Sequence, residues 1–284
     1  MFNVLRKGAM GDVLLLEPVL SALMAQHGQV NLLTRAVQLA TRIPNLKVNQ
    51  KFNTLHLNLD DSYEKDTHKL ISQAYFEASG LPYLERKPDL YLTDAENAAI
   101  LALKQDRGKH VILNLDYKHY TDARSVYGLN TYDWVALVRY LNQKGHHCYM
   151  TSYDQRLSGL PDYSMVIESD LGLSFLPKMS LPDLIVTIGA ATAFIGMDSL
   201  PAHFANSLNI PSAIFIGSVN PEYRYLTLDT PFQFIQNPCA RAGCYHEVFS
   251  LDGQPCSYRK KSSKYLQCCT YTLDQVLEKV ERIL

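Results

Sequence analysis

No charge of either sign dominates this chain: 27 Lys and Arg stand against 28 Asp and Glu over 284 residues, a formal net charge of −1. Without a global basic field, a protein whose main task is gripping duplex nucleic acid is disfavoured, and only a local basic patch stays open. Long apolar runs are missing as well. The stretch from Val13 to Leu16 stops at Glu17 and Pro18 and nothing longer follows, so no membrane span is expected and the chain reads as soluble and cytoplasmic. There is no internal repeat and no low-complexity tract. Cysteine is scarce and uneven: Cys148 stands alone, while Cys239, Cys244, Cys256, Cys268 and Cys269 crowd the last quarter. Hydrophobic residues, by contrast, make up 47% of the chain, ample for two cores, which sets disorder and small disulfide scaffolds aside.

Strand and helix signals alternate along the chain. Phe2 to Arg6 reads as a strand, Lys7 to Asp12 as a glycine-bearing loop, and Val13 to His27 as a helix that Pro18 either kinks or restarts. Strands are expected at Gln29 to Leu33 and Thr54 to Leu59, and helices at Glu64 to Ala78 and Asp94 to Gln105. The charged, glycine-containing stretch Asp106 to Lys109 suggests a boundary, giving domains 1–108 and 109–284. A second alternation follows: strands at His110 to Leu115, His146 to Thr151, Tyr163 to Ile167, Ala193 to Met197 and Ser212 to Ile216. Helices are expected at Thr131 to Gln143, Leu181 to Ile188 and Pro201 to Leu208, and an amphipathic one at Thr272 to Leu284. The pattern predicts an α/β chain of two doubly wound, Rossmann-like parallel sheets with a C-terminal helix, binding ligands at the carboxyl ends of the strands.

Two strand-to-helix junctions carry the chemistry. In Gly196-Met197-Asp198-Ser199-Leu200-Pro201, an apolar strand turns into a helix through N-cap residue types, with Pro201 in the first helical turn. Free N–H groups and the positive end of the helix dipole make such a turn an anion site for a phosphate or diphosphate. His203, four residues after Ser199, falls on the same helical face and can reach what the turn holds. At the first junction, Gly11 and Asp12 follow the first strand, and Asp12 is either a helix cap or a proton acceptor.

Together these segments resemble glycosyltransferase family nine, the lipopolysaccharide heptosyltransferases. Ala9-Met10-Gly11-Asp12-Val13 is similar to that family's Ser-Met-Gly-Asp-Val loop, and Asp198-Ser199 with His203, Phe204 and Ala205 to its donor loop. Phe215-Ile216-Gly217-Ser218-Val219-Asn220-Pro221-Glu222 looks like its continuation. Leu200 stands where the family has glycine, and Asp122 to Gly128 replaces its Lys-x-Trp-Pro-like segment, leaving Arg124 and then Lys118 as the cationic candidates.

The resemblance implies the two-domain GT-B architecture and an inverting sugar transfer, with heptose from ADP-heptose as the donor. Asp12 would be the base, beside an acceptor-side loop of Lys7, Gly8, Met10 and Gly11. Asp198, Ser199, Leu200, His203, Arg124, Lys118 and Glu222 would hold the donor. Base and donor would face each other across a cleft, and the acceptor would be a hydroxyl on a glycan, a protein or another polymer. No catalytic cofactor is implied.

The spacing Cys239-x4-Cys244-x11-Cys256-x11-Cys268-Cys269 fits either thiolate ligation of a structural zinc or iron, with Cys269 as alternative to Cys268, or reduced thiols. The autotransporter heptosyltransferase branch, with its cysteine-held iron, supports the metal. The basic run Arg259 to Lys264 is a solvated loop or a contact for a membrane surface or anionic polymer. Different classes remain open beside the transferase: a non-catalytic nucleotide- or partner-binding protein, an epimerase or phosphatase-like enzyme, and a glycosyltransferase acting on modified bases in nucleic acid.

Overall fold

The structure is a computed structural model that describes residues 1–60, 62–63, 68–114, 129, 131–151, 172–228, 230–237, 239 and 267–284. The chain divides into two compact units, Met1–Thr93 with Glu222–Leu228, and Asp94–Pro221 with Asp229–Leu284.

The first unit runs β1 (Phe2–Leu5), α1 (Met10–His27), β2 (Val30–Leu33), α2 (Val37–Ala40), β3 (Lys47–Val48), β4 (Leu57–Asn58) and α3 (Ile71–Ala78). Its four strands are parallel in the order β3-β2-β1-β4. The helix α1 starts earlier than its apolar run suggests, at Met10, because the Asp12 carboxylate turns back to accept the N–H of Ala9 at 2.7 Å and closes the first turn. It passes through Pro18 without restarting, and every residue from Val13 to Leu20 is buried. Burial on all sides supplies what the lost backbone hydrogen bond withholds. Of the expected strand at Thr54 to Leu59 only β4 is regular, and the described part of the helix expected from Glu64 begins at Ile71. The short elements α2 and β3 were not legible, since four and two residues carry no period.

The second unit contains α4 (Asp94–Arg107), β5 (His110–Asn114), α5 (Thr131–Gln143), β6 (His147–Thr151), β7 (Leu173–Leu176) and α6 (Leu181–Ala190). After them come β8 (Ala193–Met197), α7 (Leu200–Ser207), β9 (Ser212–Phe215), β10 (Phe232–Ile235) and α8 (Leu273–Glu281). Its six parallel strands lie in the order β10-β9-β8-β5-β6-β7. The central strands β5 and β8 are buried at every position, as parallel strands covered on both faces must be. One face carries Val111, Leu113, Ala193 and Ile195 against Trp134, Leu137, Val138 and Leu141 of α5 and Val276 and Val280 of α8. The C-terminal α8 is held at its start by a reciprocal pair, Thr272 N–H to Gln275 Oε1 at 3.0 Å and Gln275 N–H to Thr272 Oγ1 at 3.4 Å.

By contacts, α4 groups with the second unit. The reason is packing: α4 lies on α6, and the Ile100 side chain comes so close to Gly189 that a Cβ there would meet it at 2.8 Å. The strands β7 and β10 were not anticipated, and the strand expected at Tyr163 to Ile167 lies outside the described residues. No described helix is long and apolar enough to cross a membrane.

Each sheet has one point where the strand order reverses. The chain moves outward from β1 to β3 and returns beside β1 as β4; it moves outward from β5 to β7 and returns beside β5 as β8. In open parallel sheets, ligands bind just outside the carboxyl ends of the strands at such points.

Candidate active site

At the first reversal, β1 leads into Arg6 and β4 leads to Asp60. The Arg6 guanidinium is 4% exposed and lies 3.4 Å from Asp12 Oδ2 and 3.9 Å from Asp60 Oδ1. It also donates to the Leu59 carbonyl at 3.2 Å, and the rings of Tyr63 and Tyr75 pack on it with centroids at 5.0 and 5.5 Å. Asp12 therefore has one oxygen tied down: Oδ2 faces Arg6 and the Ala9 N–H. Its Oδ1 accepts from the Tyr63 hydroxyl at 3.3 Å. Both carboxylates reach solvent beside the strand end, the Asp12 side chain 16% exposed and that of Asp60 21%. Of the two readings of Asp12, the structure shows the cap, made by Oδ2.

The surrounding loop is shaped for that pair. A Cβ on Gly8 would lie 2.5 Å from Asp12 Oδ2 and 2.8 Å from Arg6 Nε, so only glycine leaves room for the ion pair. Lys7 is exposed and its N–H donates to Asp60 Oδ1 at 2.7 Å. Met10 is exposed at 39%, and with Gly11 it forms the first turn of α1 and not a loop.

At the second reversal, β5 ends on Asn114 and β8 leads into Asp198, with Asn114 and Gly196 as register partners. The Asp198 carboxylate and the His203 imidazole are both buried, Oδ1 to Nε2 at 4.0 Å. His203 thus reaches back to the turn, and the group it meets there is Asp198. Ser199 occupies the N-cap position of α7 in extended conformation, but its hydroxyl donates to the Met197 carbonyl at 3.2 Å and does not cap the helix. Leu200 opens α7 and Pro201 follows in the first turn. The turn joins a helix start, a buried acid and a histidine at a sheet edge.

Beyond that turn, the loop after β9 is clamped. Gly217 N–H donates to the buried Tyr271 hydroxyl at 3.1 Å, and Gln236 Nε2 donates to the Gly217 and Val219 carbonyls at 2.7 and 2.9 Å. Glu222 sits exposed on a short 3-10 turn at Pro221–Tyr223, and by contacts residues 222–228 group with the first unit. Lys118 and Arg124 lie outside the described residues, as do Cys244, Cys256 and the basic run from Arg259 to Lys264.

Of the remaining cysteines, Cys239 packs against the buried pair Cys268 and Cys269, whose sulfurs are 3.9 Å apart. The hydrogen bond from Cys269 lowers the Cys268 thiol pKa. Burial pushes Cys148 up to about 12, an inert core thiol. Among the described residues no group of three or more His, Cys, Asp or Glu is placed to hold a metal ion.

Sequence reasoning did not single out Arg6, Asp60, Tyr63 or Asn114. The available signal was positional: Arg6 and Asn114 are polar residues closing apolar strands, the place where a side chain points to a ligand and not to a core.

A model of glycosyltransferase family 9 (heptosyltransferase) matches residues 60–224. No curated protein sequence matches significantly. Among solved structures, the glycosyl transferase family 9 protein of Veillonella parvula is 12% identical, with 99% of this chain and 96% of that one covered and a TM-score of 0.71. The Escherichia coli heptosyltransferase WaaC with ADP is 11% identical over 100% of this chain and 99% of that one, at a TM-score of 0.65. The iron-containing dodecameric glycosyltransferase TibC of enterotoxigenic E. coli is 16% identical over 99% of this chain and 75% of that one, at 0.69. At these identities the structures establish the fold, that of GT-B glycosyltransferases.

Proposed function

Because the chain belongs to glycosyltransferase family 9 and is a glycosyltransferase, we propose that it moves a heptose from ADP-heptose to an acceptor hydroxyl with inversion at the anomeric carbon. Asp12 is the base: its Oδ1 takes the hydroxyl proton while the acceptor oxygen forms its bond to the anomeric carbon. The bond to the diphosphate breaks on the opposite face, and the electron pair leaves with ADP. The turn at Asp198 and Ser199 with the start of α7, His203, and the cations Lys118 and Arg124 receive the departing diphosphate. Glu222 contacts the nucleoside or sugar. The observation that carries this reading is the fixed carboxylate of Asp12, one oxygen tied to Arg6 and Ala9.

The acceptor is a hydroxyl on a glycan, a protein or another polymer, and the enzyme works in the cytoplasm. Support for the donor comes from WaaC, solved with ADP and with an ADP-fluoroheptose, and from TibC, solved with ADP-heptose. Thermal shift against a panel of nucleotide sugars tests it: ADP-heptose should raise the melting temperature more than UDP- or GDP-sugars. No shift with any adenosine diphosphate sugar refutes the donor. A second reading, a catalytically silent nucleotide- or partner-binding protein, is favoured by Leu200 at the position where glycine lets backbone approach a diphosphate; absence of transfer despite tight ADP binding would select it.

A structural zinc or iron held by Cys239, Cys244, Cys256 and Cys268, with Cys269 as alternative, belongs to the same proposal. The packing of Cys239 on the Cys268–Cys269 pair and the lowered Cys268 thiol fit thiolate ligation, and TibC is iron-containing. The metal would cross-link the segment and supply no step of the reaction. Elemental analysis of reduced, freshly purified protein should find about one metal per chain; neither zinc nor iron would refute it.

A further inference from the structure

The carboxamide of Asn114 is left with work to do. Asn114 closes β5 at the second reversal and is 7% exposed. Its Nδ2 donates to Thr151 Oγ1 at 2.7 Å, and the Thr151 hydroxyl in turn points its own proton to the Leu113 carbonyl at 3.5 Å. That chain of donors fixes the carboxamide: nitrogen toward Thr151, oxygen away from it. Oδ1 is fully buried and has no hydrogen-bond partner among the described residues. A buried acceptor without a donor costs folding free energy, and native structures keep few of them.

Its position says what kind of donor is missing. Val111 and Leu113 point into the core under α5 and α8, so by strand alternation Asn114 lies on the other face. Gly196, its register partner, shares that face and brings no side chain beside it. Helices α4, α6 and α7 pack together and add nothing to the α5 core cluster, which leaves them the face of Asn114. Asn114 thus stands one strand from the turn that begins α7, at the strand end where doubly wound sheets bind ligands.

We infer that Asn114 is a donor-binding residue whose Oδ1 accepts a hydrogen bond from an O–H or N–H of the nucleotide sugar. An ionised diphosphate has no proton to give. The contact therefore goes to a hydroxyl or amine of the nucleoside or of the transferred sugar, while the diphosphate stays on the α7 side. This rests on the turn being the donor site, as proposed above.

Calorimetric titration of the full chain with ADP and with ADP-heptose tests it, on wild type, Asn114→Ala and Thr151→Val. Asn114→Ala should weaken binding about tenfold, the worth of one buried hydrogen bond. Thr151→Val breaks the same internal contact but keeps Oδ1, and should change affinity less than about twofold. A loss seen already with ADP places the partner group on the nucleoside; a loss confined to ADP-heptose places it on the sugar. Wild-type affinity in Asn114→Ala, or equal losses in both variants, overturns the assignment while the donor site stands. A wild-type protein that binds neither ligand overturns both. If Asn114→Ala is not folded at the assay temperature, Asn114→Leu, close in volume, is judged by the same outcomes.

Discussion

The two strand reversals of this molecule are built in opposite ways. At the first, a nearly buried arginine holds two carboxylates, Asp12 and Asp60, and both reach solvent. At the second, the acid is inside: Asp198 is 1% exposed and faces His203, while a helix start and the Asn114 carboxamide make up the edge. A carboxylate that must take a proton needs access and a fixed direction. A site proposed to receive a diphosphate cannot present a bare carboxylate, and Asp198 is buried beside His203 instead. In the proposed reading, one topology used twice serves as a base holder and an anion holder.

The sharpest way to break that contrast is at Arg6. Arg6→Met leaves Asp12 and Asp60 without their shared cation, and should cost about 3 kcal/mol of stability in urea denaturation. Transfer should fall by on the order of a hundredfold through misplacement of the base, with ADP affinity unchanged. An unaltered rate would show that Arg6 does not position Asp12. Next in size, His203→Ala should weaken ADP binding about tenfold, the worth of one charge-assisted contact, measured by calorimetry; unchanged affinity would remove His203 from the donor site.

The smallest effect concerns pH. His110, His146 and His147, at the amino-terminal edges of β5 and β6, have pKa values lowered from 6.5, first by burial and then by Arg107, Lys109 and one another. The unfolded chain then binds more protons than the folded one below pH 6.5, so stability is full above that value and is lost as pH falls through it toward the lower folded-state values. Emission of Trp134, the only tryptophan and part of the core of the same unit, reports it. His110→Phe should flatten the acid side of the curve; an unchanged slope would clear His110.

Much of this was legible in the residues. Uninterrupted apolar runs such as His110 to Asn114 and Ala193 to Met197 marked the buried parallel strands, and the two strand-to-helix junctions marked both edges. What escaped notice depends on distance in sequence. Arg6 meets Asp60 and Tyr63 across more than fifty residues of chain, and no period or cap records that encounter. The start of α1 was misplaced because Asp12, read as a cap or a base just ahead of the helix, lies within the first helical turn and closes it. The surface that α4 packs on lies on α6, far along the chain, and no local signal records it.

The most direct measurement is Asp12→Asn, assayed for both functions in one preparation. Transfer from ADP-heptose should fall by about 10²–10⁴, the worth of a general base, while the dissociation constant for ADP stays within about twofold of wild type. Retained transfer, or loss of ADP binding together with transfer, would contradict the division of labour between the two reversals.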